Sequence, residues 1–176
     1  MNLKTASFLG AAILTSCTLS AQSQSPAELN DLQIAHVAYI ADNIDIQYAH
    51  LALALSENPT VREFAQTMVR DHNGVNAQAL ALLKKLDAQP QNNFLSESLQ
   101  ADAKGIINNL ASLRGAEFDR AYAENELAYH QAVNGLIENT FIPNIDNAEV
   151  KALFIAGLEI FKAHEAAAKL MVSNVR

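Results

Sequence analysis

Three histidines, His72, His130 and His164, stand on or beside the apolar stripes of three different predicted long helices. Helix bundles build metal sites from such inward-pointing groups, with imidazole nitrogen and carboxylate oxygen as ligands. Asp45 on the first predicted helix and Glu126 are candidate carboxylates, as are Asp71 beside His72 and Glu165 beside His164. Because Glu126 precedes His130 by four residues, the two share a helical face. The pattern is compatible with one metal ion held by the three imidazoles together with Glu126 or Asp45.

A second interpretation of the same histidines needs no ligand. A buried neutral histidine that is hydrogen-bonded to a tyrosine or a carboxylate across the bundle satisfies its polar atoms and fixes helix register. Tyr48, Tyr122 and Tyr129 are the available phenol partners. Residue numbers do not set the axial offset between helices, so the sequence permits both arrangements. We favour the structural network and expect each ring to lie at a different level of the bundle.

Two positions argue against a di-iron enzyme. The di-iron pattern of helix bundles has a glutamate three residues before the histidine on two helices. Val69 and Phe161 occupy these positions before His72 and His164, so both bridging carboxylates are missing. The sequence also lacks a Gly-rich phosphate loop, a Gly-x-Ser-x-Gly elbow, a Cys-x-x-Cys pair and a His-Glu-x-x-His motif. We therefore assign no catalytic residue and expect a protein that is not an enzyme.

The composition predicts an all-α fold. Half of the 176 residues are apolar, aromatic residues make up 6%, and there are six glycines and four prolines. Abundant Ala, Leu, Glu and Gln favour helix, whereas the β-branched and aromatic residues typical of strands are few. The formal net charge of −7 argues against a nucleic-acid partner, because a phosphate-binding surface is basic.

Apolar spacing predicts four long helices and a short one, arranged as a four-helix bundle with the short helix in a long crossover. The first helix is expected over residues 26–56 with Ser25 as its cap, and Asn58 and Pro59 are expected to start the second. A shorter helix is expected over residues 96–113, interrupted at Gly105, and a fourth after Gly115. The last helix is expected to follow a turn at residues 142–145.

The cap of the last helix is predicted from a short motif. Asp146 stands three residues before Glu149, which is the spacing of a capping box. The sequence therefore predicts Asp146 as the residue that caps this helix.

The first 16 residues have the pattern of a bacterial secretory signal. Lys4 precedes a run of small and apolar residues that is too short to span a bilayer as a helix. The run ends in Leu-Thr-Ser-Cys at residues 14–17, which resembles the lipobox of bacterial lipoproteins, and Cys17 is the only cysteine. We favour lipidation of Cys17 over an ordinary signal cleaved near Ser20 or Ala21. The chain then divides into a signal peptide (1–16), a polar tether (17–26) and a helical-bundle domain (27–174).

Three segments, residues 45–52, 58–72 and 115–122, resemble the bacterial domain-of-unknown-function family 4142. The family is often labelled as an outer membrane protein and is grouped with ferritin-like bundles. The resemblance covers roughly residues 30–174, and His130 and His164 fall where the family usually has histidines. It implies an exported, ferritin-like four-helix bundle and no established reaction.

These observations lead to one expected function and two alternatives. We expect an exported cell-envelope protein, in the periplasm or at the outer membrane, held to the membrane by a lipid anchor at Cys17 and serving a non-enzymatic structural or binding role. The first alternative is a metal- or small-ligand-binding protein that uses the core histidines and carboxylates. The second is a module whose acidic outer face docks another envelope protein. The sequence requires no cofactor, although a single metal ion is compatible with it.

Overall fold

A computed structural model describes residues 24–175 of the chain. The predicted signal peptide, the lipobox with Cys17 and most of the tether lie outside the described residues. Regular structure within residues 24–175 is entirely helical, which confirms the predicted all-α fold. The five longer helices are α1 Asp31–Leu55, α2 Pro59–Lys85, α3 Phe94–Ser112, α4 Gly115–Leu136 and α5 Ala148–Asn174.

Helix α1 begins later than predicted. Ser25 caps only a three-residue 3-10 helix, Pro26–Glu28, and Leu29 then adopts an extended backbone. Asn30 caps α1, because its side chain accepts hydrogen bonds from the backbone N–H groups of Leu32 and Gln33. The predicted cap at Ser25 is therefore real, but it does not start the long helix.

The start of α2 is confirmed, whereas the break in α3 is wrong. The Asn58 side chain accepts from the backbone N–H of Thr60, and Pro59 occupies the first helical turn, where its missing N–H costs nothing. Helix α3 continues through Gly105 without interruption. A glycine inside a helix costs only about 1 kcal/mol, which the packing of the rest of α3 outweighs.

The chain stays helical where a turn was predicted after α4. A π-helical turn, Ile137–Phe141, is followed by a short α-helical segment, Ile142–Asn144. The N–H of Ile142 donates to the carbonyl of Ile137, five residues back. Pro143 cannot donate a backbone hydrogen bond, and a local change of helical pitch accommodates it. The predicted turn at residues 142–145 is therefore wrong.

The predicted cap of the last helix is displaced by one residue. The Asn147 side chain accepts from the backbone N–H groups of Glu149 and Val150, and so Asn147 caps α5. Asp146 lies outside the helix, and its backbone N–H donates to Asp31.

Four helices form the bundle. Helix α1 packs mainly on α2, and α5 packs on α4 and α2, while α1 also contacts α4. Helix α3 lies mainly against α1. No helix within residues 24–175 has an apolar stretch long enough to cross a membrane.

The core is divided into two apolar clusters with a polar layer between them. One cluster includes Tyr48, Phe64 and Phe118. The other includes Ile34 and Phe141. Four buried polar residues, one on each of α1, α2, α4 and α5, lie between the buried members of one cluster and the nearest members of the other on the same helix: Asp42, His72, His130 and His164. The polar side chains are therefore held at one level of the bundle.

Candidate metal centre

The polar layer contains an unusual concentration of buried ionisable groups. Side chains of this kind are rarely buried unless they are paired or bind an ion. Its six members are Asp42, Asp45, His72, Glu126, His130 and His164, and each is no more than 6% exposed.

His72 is placed by carboxylates from α1. Its Nδ1 lies 2.7 Å from Asp42 Oδ1, and its Nε2 lies 3.1 Å from Asp45 Oδ2. The first contact is a hydrogen bond, whereas the second lacks hydrogen-bond alignment. Both ring nitrogens of His72 thus face carboxylates.

His130 is fixed by its own helix. Its Nδ1 lies 2.9 Å from the backbone carbonyl of Glu126, one turn earlier in α4. A carbonyl oxygen only accepts, so Nδ1 carries the proton. Its Nε2 is buried without a hydrogen-bond partner and lies 3.3 Å from Asp45 Oδ2.

His164 bridges the layer to the protein surface. Its Nε2 lies 3.0 Å from Asp71 Oδ2, and the other ring nitrogen, Nδ1, is buried without a hydrogen-bond partner. Asp71 is partly exposed and is paired with Arg70, whose Nε lies 2.7 Å from Asp71 Oδ1. The contact with Asp71 leaves Nδ1 as the nitrogen available to the layer.

The three histidines converge. One ring nitrogen from each of His72, His130 and His164 lies within 4.8 Å of the others. The ring centroids are 5.3 to 5.9 Å apart. The expectation that the rings would lie at different levels is wrong, because helix packing brings the polar positions of α2, α4 and α5 into one layer.

The structure also brings Asp45 and Glu126, two of the predicted carboxylates, to this layer. One oxygen each of Asp45 and Glu126 and one nitrogen of His130 lie within 4.8 Å of one another. Both Glu126 oxygens are buried without a hydrogen-bond partner. Sequence reasoning missed Asp42, although Asp42 and Asp45 are three residues apart and therefore share one face of α1. This spacing of two acidic residues is the sequence signal that could have identified Asp42.

The predicted tyrosine partners do not bind the histidines. Tyr129 donates to the backbone carbonyl of Ala41 at 2.9 Å. The hydroxyls of Tyr48 and Tyr122 are buried and have no hydrogen-bond partner among the described residues. The histidines are thus held by carboxylates and a carbonyl rather than by phenols.

The protonation states of His72 and Asp45 follow from their burial and from the charges close to them. Burial alone would lower the pKa of His72, but its hydrogen bond with Asp42 and its contact with Asp45 raise that pKa to about 10. Burial alone would raise the pKa of Asp45, yet the contact with the His72 imidazolium lowers it. At neutral pH, His72 is therefore an imidazolium that faces the Asp45 carboxylate.

Burial disfavours the charged forms of His130, His164 and Glu126. Burial lowers the pKa of His130, and burial with the charge of His72 lowers the pKa of His164 to about 4. Burial, together with the charge of Asp45, raises the pKa of Glu126 well above its ordinary value.

One contact in this arrangement is electrostatically unfavourable. Since Nδ1 of His130 carries the proton, its Nε2 presents a lone pair to the Asp45 carboxylate oxygen 3.3 Å away. Lone pairs on two acceptors repel unless a proton or a cation lies between them. The centre of the layer is therefore suited to a positive ion.

The fold and this layer define an all-α helical-bundle protein with a buried histidine–carboxylate centre. The family described as a domain of unknown function (DUF4142) matches residues 17–171, and the chain belongs to that family. No curated protein and no solved structure matches the chain.

Proposed function

We propose that the protein binds one divalent transition-metal ion in its core. The proposed ligands are one ring nitrogen from each of His72, His130 and His164 and a carboxylate oxygen of Asp45. The observation that carries the proposal is the unprotonated Nε2 of His130 beside Asp45 Oδ2. A cation between these two atoms replaces repulsion with two bonds.

The outward contacts of the three rings support the same proposal. Histidines that bind metals commonly donate their other ring N–H to a carboxylate or a carbonyl, which fixes the tautomer and the ring orientation. His72 contacts Asp42 in this way, His130 contacts the Glu126 carbonyl, and His164 contacts Asp71. Each ring retains one nitrogen for the ion.

The spacing is close to what one ion needs. Two nitrogens bound to one ion at roughly 2.1 Å each are at most about 4.2 Å apart. The three candidate nitrogens lie within 4.8 Å of one another, so displacements of the rings by up to about 1 Å bring them onto one ion. Binding of the ion releases the proton from the His72 nitrogen that becomes the ligand.

The donor set selects the class of metal. Imidazole with one carboxylate suits borderline ions such as Zn²⁺, Fe²⁺ and Co²⁺, whereas Mg²⁺ and Ca²⁺ prefer all-oxygen sites. Catalytic metal sites keep a position open to water or substrate. The four proposed ligands are at most 4% exposed, which favours a binding or structural role over catalysis.

Titration of the purified, metal-free protein with Zn²⁺ and Co²⁺ tests the proposal. We expect one ion per chain by calorimetry, and Co²⁺ absorption bands in the visible region that indicate nitrogen and oxygen ligands. His130→Gln and Asp45→Asn should each weaken binding by about tenfold or more. His50→Gln is the matched control, because His50 lies on α1 with an exposed side chain, and it should bind as the native chain does.

The opposite result would favour the structural network. If folded His130→Gln binds Zn²⁺ as tightly as the native protein, or if the native protein binds none, the layer is a set of ion pairs that fixes helix register. Circular dichroism of each variant establishes that it is folded before binding is compared.

We further propose that the chain is exported and anchored through a lipid on Cys17. The support is the Leu-Thr-Ser-Cys sequence at residues 14–17, placed directly after a short apolar run. The family match begins at residue 17, where the mature chain of such a lipoprotein begins.

A further inference from the structure

A crevice enters the bundle beside the polar layer. It lies between α1, α2 and α5, and its lining is almost wholly apolar. Small residues keep it open, among them Ala35, Ala79 and Gly157. The cavity volume of about 50 Å³ holds roughly three to five water-sized groups.

One polar atom in this lining has no partner. Asn76 lines the crevice and is 6% exposed, and its Oδ1 is buried without a hydrogen bond. A buried acceptor left unpaired costs about 1–3 kcal/mol, and native structures rarely tolerate that cost without a partner or a role. A ligand with one hydrogen-bond donor would satisfy it.

The wall of the crevice has a second irregular feature. Ile137, the first residue of the π-helical turn, also lines the crevice. Single π-helical turns in α-helices are frequent at functional sites. The inner wall includes Asp42 and Phe161, the residues that hydrogen-bond to and stack on His72.

We propose that this crevice binds a small neutral molecule with an aliphatic body and a single hydrogen-bond donor, which the Asn76 side-chain oxygen accepts. The apolar walls exclude charged ligands, since nothing in the lining other than Asp42 carries a charge. Asp42 directs one carboxylate oxygen at His72, whereas Asn76 Oδ1 is buried without a partner, so Asn76 is the group that selects the donor. This site is separate from the proposed metal ligands.

Two isomeric probes test the donor requirement. 1-Butanol and diethyl ether have the same atoms, but only the alcohol donates a hydrogen bond. We expect 1-butanol to cause saturable shifts in the NMR signals of the Asn76 side chain and the Ala79 methyl group, with an affinity roughly fivefold higher than that of the ether. Equal affinities, or shifts that do not saturate, would overturn the proposal.

Two variants locate the binding site. A methyl group at Gly157 would lie 3.6 Å from Phe161 Cε2 and 4.0 Å from Val75 Cγ1, which is ordinary contact, so Gly157→Ala narrows the crevice without a clash. We expect it to weaken 1-butanol binding about threefold or more. Gly105→Ala on α3, where no atom lies within 4 Å of the added methyl, is the control and should bind normally.

Replacement of Asn76, the proposed acceptor, distinguishes the contribution of crevice shape to binding from that of the hydrogen bond. Asn76→Leu keeps a side chain of similar size, so the alcohol and the ether should then bind equally well. A preference for the alcohol that persists in Asn76→Leu, or unchanged binding in Gly157→Ala, would place the ligand elsewhere and refute the proposal.

Discussion

Phe161 lies flat against the imidazole of His72, with ring centroids 4.9 Å apart and ring planes inclined by 11°. Phe161 stands three residues before His164, where a di-iron bundle would have a bridging glutamate. An aromatic ring therefore occupies the sequence position at which a second ion would need a carboxylate. The stack also restricts rotation of His72, whose nitrogens remain directed at Asp42 and Asp45.

Removal of a core ring next to the polar layer should destabilise the bundle. Phe64 is 7% exposed and packs edge-on against Tyr122 and His130. Phe64→Ala should lower the free energy of unfolding by about 3–5 kcal/mol, measured by urea denaturation. Leu170→Ala, at a residue that is 67% exposed, is the control and should change it little. A loss below about 1 kcal/mol in Phe64→Ala would mean that this face is not tightly packed.

The stability of the metal-free protein should be greatest near pH 6.5. His72 has a folded pKa of about 10, above its ordinary 6.5, so its contribution is complete below pH 6.5 and is lost as the pH rises toward 10. His164 has a folded pKa of about 4, so its contribution is complete above pH 6.5 and is lost as the pH falls toward 4. Each limb should approach a slope of about 1.4 kcal/mol per pH unit in urea denaturation.

A variant of His164 tests whether this residue causes the loss of stability at acidic pH. His164→Gln removes the titrating group, so the decline between pH 6.5 and pH 4 should become shallower while the alkaline limb stays the same. An acid limb of unchanged slope would show that other groups cause it.

The two buried carboxyl groups should respond differently to amide substitution. The raised pKa of Glu126 favours its neutral form, so Glu126→Gln should change the free energy of unfolding by less than about 1 kcal/mol. Asp45 is ionised and faces the His72 imidazolium, so Asp45→Asn should cost about 3–5 kcal/mol in the metal-free protein. Denaturation of both variants at pH 7 checks this, and equal costs would contradict it.

Zinc binding should tighten as the pH rises. The ion must displace the proton of His72, whose pKa is about 10, so the Kd should fall about tenfold per pH unit between pH 6.5 and 9. Calorimetry in buffers with different ionisation heats measures the released proton directly. A pH-independent Kd would mean that His72 is not a ligand.

Substitution of the only cysteine tests the anchor. Cys17→Ser should move the protein from the membrane fraction to the soluble fraction and block cleavage before residue 17, because the lipid chains of such an anchor are what hold it stably. Fractionation and N-terminal mass analysis measure both effects. Unchanged fractionation with a mature N-terminus beyond Cys17 would refute lipidation.

Local signals in the sequence predicted the helices well and their ends less well. Asn58 and Pro59 marked the start of α2 correctly because a cap and an N-terminal proline act within one turn. Asn147 displaced Asp146 as a cap because several side chains in that segment can accept the same backbone N–H groups. The choice between them depends on where the preceding chain is anchored.

The sequence identified the residues of the site but did not predict that they converge. His72, His130, His164, Asp45 and Glu126 were all identified from type and apolar spacing, and all five lie in the polar layer. Their convergence depends on the axial offsets of α1, α2, α4 and α5, which come from packing across the whole bundle and leave no local signal. Asp42 was missed because its role appears only once α2 is placed beside α1.

The polar layer takes at least one side chain from each of α1, α2, α4 and α5, and these side chains contact one another directly. Such a layer joins four distant parts of the chain at one point, in the way that a cross-link does, in a chain whose single cysteine cannot form an internal disulfide. Sliding of any one helix along its axis would break contacts with at least two of the others at once. The bundle should therefore unfold as a single cooperative unit rather than helix by helix.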